Sequence, residues 1–200
     1  MSDKNRLEKQ FAFCLEADKE KSIMRQTRKS DGVSKENDAE HAWHMALMCI
    51  LLSEYANEPF DVLRAVTMIL IHDMVEIDAG DTYAYDEAGK QSQRERELKA
   101  AERIFNILPG DQAQKLRALW DEFEEGETPE ARFARTLDNI QPAMLNNATD
   151  GVEWKNHNVK LSRILDRNKN SAKGSEELWQ YSLQNFILPN VENGRIEDDR

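Results

Sequence analysis

Apolar residues recur along most of this chain at intervals of three and four, the spacing of helices that bury one face. Over residues 7–24, Phe11, Cys14, Leu15 and Ile23 stand among charges and predict a first helix. Between Arg25 and Asn37 the pattern fails, and Gly32, Ser34 and Asn37 mark a loop. Asn37, followed three residues on by Glu40, is a capping-box variant, so a helix begins there with His41, Met45, Met48, Leu52 and Tyr55 on one stripe. Asn57 and Pro59 break it. Pro59 fits the first turn of the next helix, whose interior over 63–71 is apolar nearly all round, as a central buried helix would be. Gly80 is expected to end it. A helix over 91–108 stops at Pro109-Gly110, Asp111 caps another to Phe123, and Thr128-Pro129 opens the helix that holds Asp138. Pro142 is expected to kink or end that helix. Residues 161–165 and 178–187 read as two further helices, and no strand alternation or repeat competes. The pattern predicts an all-α fold in one domain, residues 1–200.

Within this pattern one dipeptide is out of place. His72-Asp73 closes the apolar run AVTMILI, where a buried helix would otherwise stay apolar. An ionised carboxylate left unpaired there costs several kcal/mol or takes up a proton. Upstream lies His41 in NDAEHAWH and downstream Asp138 in ARTLDNIQ, each bordering an apolar face. Four N and O ligands on three segments suit one divalent cation with positions open to water. His72 and Glu76, four apart, share a helix face, and Asp73 lies about 100 degrees round it. His41 and Asp138 are then the groups that close the shell. His44 and His157 are read as hydrogen-bonded core histidines.

Composition narrows the setting. With 27 Lys plus Arg against 38 Asp plus Glu, the net charge is −11, which disfavours binding to nucleic acid over a broad surface. Cys14 and Cys49, among apolar neighbours, read as reduced core thiols. The start MSDKNRLEKQ lacks a signal-peptide core, and no run approaches the roughly 20 apolar residues of a membrane span. A cytoplasmic protein with no membrane partner, open to homodimer formation, is the expectation.

The order His41, His72-Asp73-x-x-Glu76, Asp138 resembles the signature of the HD superfamily of metal-dependent phosphohydrolases. Three segments resemble its 5'-nucleotidase-like (5'-deoxynucleotidase) branch: ENDAEHAWHMALM, HDMVEIDAGD and EARFARTLDNIQ. The resemblance implies an HD-domain helical bundle with a metal-binding core at about 23–147 and C-terminal helices at 158–190 packed on it. It also implies a Mn, Co or Mg ion on His41, His72, Asp73 and Asp138, and removal of phosphate from (deoxy)nucleoside 5'-monophosphates. That branch has an Arg-Trp pair before its first ligand. Here Arg25 in SIMRQT is the candidate arginine, with Arg28 as fallback, and Gln26 stands where the Trp would be.

Such an ion lowers the pKa of bound water and polarises a phosphoryl oxygen. Glu76 is placed to orient the water or relay its proton, and Asp81 to act on the leaving oxygen or a sugar hydroxyl. Arg25, or Lys35 nearer to His41, would supply the cation that grips phosphate. Two other readings stay open: a nucleotide phosphodiesterase or alarmone pyrophosphohydrolase, and a non-catalytic, metal-stabilised ligand-binding protein. Against the first stands the lack of a basic segment to grip two separated phosphates; against the second, the spare acids Glu76 and Asp81.

Overall fold

The computed structural model describes residues 3–85 and 87–200, and helices dominate it. The first helix, α1 (Asp3–Ala17), is shorter than its pattern predicts and continues as a 3-10 turn, Asp18–Ser22. Its expected core face is instead open: Leu7, Phe11 and Leu15 are exposed, and so is Cys14, whereas Cys49 is buried. Polar ties place α1 on the outside. Arg6 Nη1 donates to Asp111 Oδ1 at 2.7 Å, while Phe13 and Ala17 pack against the core, Phe13 stacking on Phe105.

The stretch read as a loop is a β-hairpin. Strands β1 (Met24–Arg28) and β2 (Lys35–Asn37) pair antiparallel, Met24 opposite Asn37 and Arg28 opposite Lys35. Its turn is built locally: Asp31 Oδ1 accepts from the Val33 and Ser34 amides at 2.8 and 2.9 Å, and Gly32 takes φ +71°. A ribbon this short needs no alternating apolar face, so no periodicity announced it. The correction moves Arg25 from a helix end to a strand.

Helix α2 (Asp38–Leu52) starts with the predicted capping box of Asn37 and Glu40, and a 3-10 turn (Ser53–Tyr55) rather than the helix carries Tyr55. Pro59 stays outside α3 (Val62–Ile71), because Asp61 caps it by accepting from the Arg64 amide. The helix then breaks at His72 into a 3-10 turn (Asp73–Val75) and the short α4 (Glu76–Ala79), which ends at Gly80 with φ +76°. There follow α5 (Glu87–Phe105), α6 (Gly110–Glu125), capped at Pro109 rather than Asp111, and α7 (Pro129–Ala148), capped by Thr128.

Pro142 neither ends nor divides α7. Proline inside a helix costs about 3 kcal/mol in isolation. Here the packing of α2, α3, α6 and α10 along α7 outweighs that preference. The missing N–H leaves the Asp138 carbonyl without its usual helical donor.

The C-terminal part is cut into more pieces than the two expected: α8 (Val152–Asn156), α9 (Leu161–Asn168), α10 (Ser171–Gly174), α11 (Glu176–Ser182), a π-helical turn (Leu183–Ile187) and α12 (Leu188–Glu192). The main core joins α2, α3, α6 and α7 through Met45, Met68, Ile69, Trp120, Phe133 and Leu137. Its polar exceptions gather where the start of α2, the break after α3 and the middle of α7 meet.

Candidate metal centre

Each expected ligand is turned by a neighbour that fixes one of its atoms. His72 Nδ1 faces the Ile69 carbonyl at 2.7 Å and donates to it, so Nε2 is the atom that takes a proton or a cation. Trp120 Nε1 donates to the His72 carbonyl at 3.1 Å and holds the break in the helix. His41 is fully buried, with Nδ1 3.0 Å from Gln141 Oε1, and the Gln141 amide donates to Glu36 Oε1 at 2.7 Å. With Gln141 oriented in this way, His41 Nδ1 donates and Nε2 faces Asp138 Oδ1 at 3.2 Å.

The four groups converge. Ligand atoms of His41, His72 and Asp73 lie within 4.8 Å of one another, and His72 Nε2 is 4.0 Å from Asp138 Oδ1. His72 Nε2 is buried and lacks a hydrogen bond of acceptable direction, although Asp73 Oδ2 is 3.1 Å away. An orphaned ring nitrogen beside two partly buried carboxylates is the donor set a divalent cation completes.

The electrostatics describe the same site without a cation. Burial disfavours a charged His72, but the Asp73 carboxylate outweighs it and pushes the ring up to about 9. Burial likewise opposes ionisation of Asp73 and Asp138, yet His72 holds Asp73 below the ordinary carboxylate range and His41 holds Asp138 well below it. A cation held by His41, His72, Asp73 and Asp138 would take over the role of the ring proton.

Around this set lies a layer of acids. Burial, then the charges of Asp73 and Asp38, push Glu76 up to about 11; burial also raises Asp81. Asp38, Asp73 and Glu76 bring carboxylate oxygens within 4.8 Å of one another. Asp38, Glu36 and Glu20 were not singled out from the sequence, since acids near a helix start read as caps or solvated charge. Only the turn of the chain through the hairpin buries them.

Arg25 enters this layer from β1, with Nη1 2.6 Å from Asp73 Oδ2 and 3.5 Å from Asp38 Oδ1. Lys35 does not: its ammonium donates to Gln26 Oε1 at 2.6 Å and lines neither pocket, so the sequence expectation for it is corrected. Arg28 is also taken, by Glu153 at 2.5 Å. The residue missed is Arg167 on α9, whose Nη2 lies 3.6 Å from Asp138 Oδ2. His44 accepts from the Gln141 amide, and His157 is partly exposed against Tyr83 rather than in the core.

A cavity of about 250 Å³ opens onto these groups. Arg25, Asp73, Glu76, Asp81 and Asp138 form its polar floor, and Tyr83, Tyr85 and Trp154 give it aromatic walls. It is sized for a small molecule with one charged and one flat end.

A helical domain that converges two histidines and two aspartates in this order defines a class of proteins, and comparison with known proteins agrees. The chain belongs to the HD domain family, whose profile matches residues 17–179. It is similar to the 5'-deoxynucleotidase HDDC2 of Homo sapiens, 29% identical over 120 residues, covering 60% of this chain and 57% of that one. Similar too is the Xenopus laevis 5'-deoxynucleotidase HDDC2, 30% identical over 144 residues, covering 72% and 65%. The chain thus spans under two thirds of the length of these relatives. Among solved structures it resembles a predicted metal-dependent phosphohydrolase from Magnetospirillum magnetotacticum MS-1, at 45% identity and TM-score 0.91 over 96% of both chains.

Proposed function

We propose that this protein is a divalent-metal-dependent phosphomonoesterase acting on deoxynucleoside 5'-monophosphates and, less strictly, on their ribo counterparts. The observation that carries the reading is the orphaned His72 Nε2 among His41, Asp73 and Asp138 at the floor of a cavity that also holds a buried arginine and two acids. The names of the relatives support the reaction and the substrate class.

His41, His72, Asp73 and Asp138 would hold Mn, Co or Mg, which supplies an activated water and a polarised phosphoryl oxygen. With a cation on Asp73, Arg25 would be free to bind the phosphate instead of the carboxylate it pairs with here. Glu76, which lines the same cavity, would orient the water or relay its proton. Asp81 faces the leaving oxygen and the sugar. Tyr83, Tyr85 and Trp154 take the base.

The reading treats residues 1–200 as one HD domain in the cytoplasm, in keeping with two free thiols; among the described residues no helix is long and apolar enough to cross a membrane. It also includes a homodimer without nucleic-acid contacts. Supporting this, α2 exposes Trp43, Leu47, Ile50 and Leu51 with no charged residue from Ala42 to Ser53, a stripe that water does not favour. Sedimentation of wild type as a dimer and of Trp43→Glu as a monomer is expected; a monomeric wild type removes this part. For the enzyme, elemental analysis followed by a phosphate-release screen over monophosphates, cyclic nucleotides and pyrophosphates is the test. Release from 5'-monophosphates only in the presence of metal is expected, and none with any metal overturns the reading.

A further inference from the structure

The sequence offers no basic segment, yet the fold assembles one. Behind Asp138 lies a second cavity of about 200 Å³, between α7 and the α9–α10 segment. Arg135, Asp138, Asn139 and Arg167 line both cavities, so the two meet at the ligand Asp138.

Three cations there, Arg135, Lys173 and Arg167, have one carboxylate partner between them among the described residues, Asp138. Arg135 is spent on carbonyls: Nη1 donates to Phe123 O at 3.1 Å and Glu124 O at 3.3 Å, while the guanidinium lies over the Phe123 ring. Lys173 makes no ion pair with any described residue. Among the described residues Arg167 pairs with Asp138 alone, the carboxylate a metal ion would claim. Three acids, Glu125, Glu127 and Asp138, line the same cavity against the four cations Arg132, Arg135, Arg167 and Lys173, and Glu127 is already paired with Arg132. In a chain of net charge −11 this local surplus of positive charge is unusual.

The surplus is also held in place. Gly174 lets α10 approach α7 so closely that a Cβ there would sit 2.4 Å from the Arg132 carbonyl and from Thr136 Oγ1. Thr136 Oγ1 donates to the Ser171 carbonyl at 2.8 Å, and Asn57 Nδ2 donates to the Lys173 carbonyl at 3.0 Å. The backbone carrying Lys173 is thus pinned on two sides while its ammonium is left for another partner. Because the two cavities share Arg135, Asp138, Asn139 and Arg167, the second opens directly beside the metal pocket.

We propose that this second cavity is a phosphate-binding subsite, taking a phosphoryl group that is not the one being cleaved. The group has two sources: a second phosphate on the same substrate, as in a deoxynucleoside 3',5'-bisphosphate, or orthophosphate leaving the metal pocket. The first source rests on the phosphomonoesterase reading above.

The test compares wild type with Lys173→Glu, a change at a residue that does not line the metal pocket. In wild type, kcat/KM for the bisphosphate should exceed that for the 5'-monophosphate by about tenfold, and the excess should vanish in the variant while the monophosphate rate holds. If that ratio does not move but inhibition by orthophosphate weakens about tenfold, the subsite serves the released product. If neither moves, the proposal is overturned. Calorimetric titration with inorganic phosphate separates this outcome from failure of the enzyme reading. A wild type that hydrolyses nothing but binds phosphate, with Lys173→Glu binding less, keeps the subsite and removes the phosphatase.

Discussion

Arg25 Nη1 lies 2.6 Å from Asp73 Oδ2, the same oxygen that stands 3.1 Å from His72 Nε2. One carboxylate therefore faces both the arginine that would grip phosphate and the ring nitrogen that would grip a metal. Burial disfavours the charge on Arg25, but Asp73, Asp138 and Glu76 raise its pKa beyond any physiological loss of the proton. The guanidinium is a permanent competitor for Asp73 until a cation arrives.

Arg25→Ala should accordingly move two constants in opposite directions. Metal affinity should rise about tenfold, because a positive charge beside the site is gone. KM should rise ten- to a hundredfold, and by a similar factor for every 5'-monophosphate, since a guanidinium reads phosphate and not base. Metal titration and KM measurements on four nucleotides check this. A variant that binds metal less well and keeps its KM would assign Arg25 to structure alone.

Asp73→Ala and Glu76→Ala separate holding the metal from using it. Asp73 sits in the ligand cluster with His41 and His72, so its loss should abolish both metal retention and turnover. Wild type should hold about one divalent ion per chain by elemental analysis. Glu76→Ala should keep the ion and the fold yet lose about a hundredfold or more in kcat, the size of a positioned proton-transfer group. Full occupancy in Asp73→Ala would remove it from the ligand set; near-normal kcat in Glu76→Ala would make Glu76 a buried acid without a task.

The helices and the ligand set were legible because both are written locally. A capping box at Asn37 and Glu40, a threonine-proline start at Thr128 and an apolar run ending in His72-Asp73 each need only a few neighbouring residues to be read. The hairpin of β1 and β2 was not legible, since polar residues on a short ribbon mimic a loop. That error hid Glu36 and Asp38, whose burial depends on the ribbon folding back onto α2 and α7. It also favoured Lys35, whose ammonium donates to Gln26 instead. Arg167 and Lys173 were out of reach for another reason: their cavity is made by the close packing of α10 on α7, a contact across some forty residues of chain.

Glu20 gives a pH signature independent of turnover. Its carboxyl is buried in the 3-10 turn after α1, with Oε1 unpartnered, and burial together with the Asp73 charge pushes it up to about 8. The folded pKa is raised above the unfolded one, so the folded state holds a proton the unfolded state has lost. Stability is then fully present below about pH 4.5 and falls as pH rises toward 8. Glu20→Gln keeps the shape and removes the titration. In chelator, the Tm advantage of the variant should grow from pH 5 to pH 8, reach about 4 °C or more, and level off above that. A constant difference across this range would mean that Glu20 ionises normally in the folded protein.

Sugar selection depends on what stands near the 2'-carbon. Gln26 lines the cavity beside Arg25, at the position where the related branch carries a tryptophan, and an amide of that size crowds a ribose less than an indole does. Asp81 lines the same cavity, and burial raises its pKa. A carboxylate near a sugar hydroxyl accepts a hydrogen bond as readily as it excludes one, so its sign is set by distance. With the aromatic wall reduced, discrimination between deoxyribo and ribo forms should be about tenfold, the scale of a single contact. Paired kcat/KM measurements on deoxyribo and ribo monophosphates give the number. A preference of several hundredfold for the deoxy form would mean that Asp81 has taken over the reading, and Asp81→Asn should then lower the preference while leaving metal content unchanged.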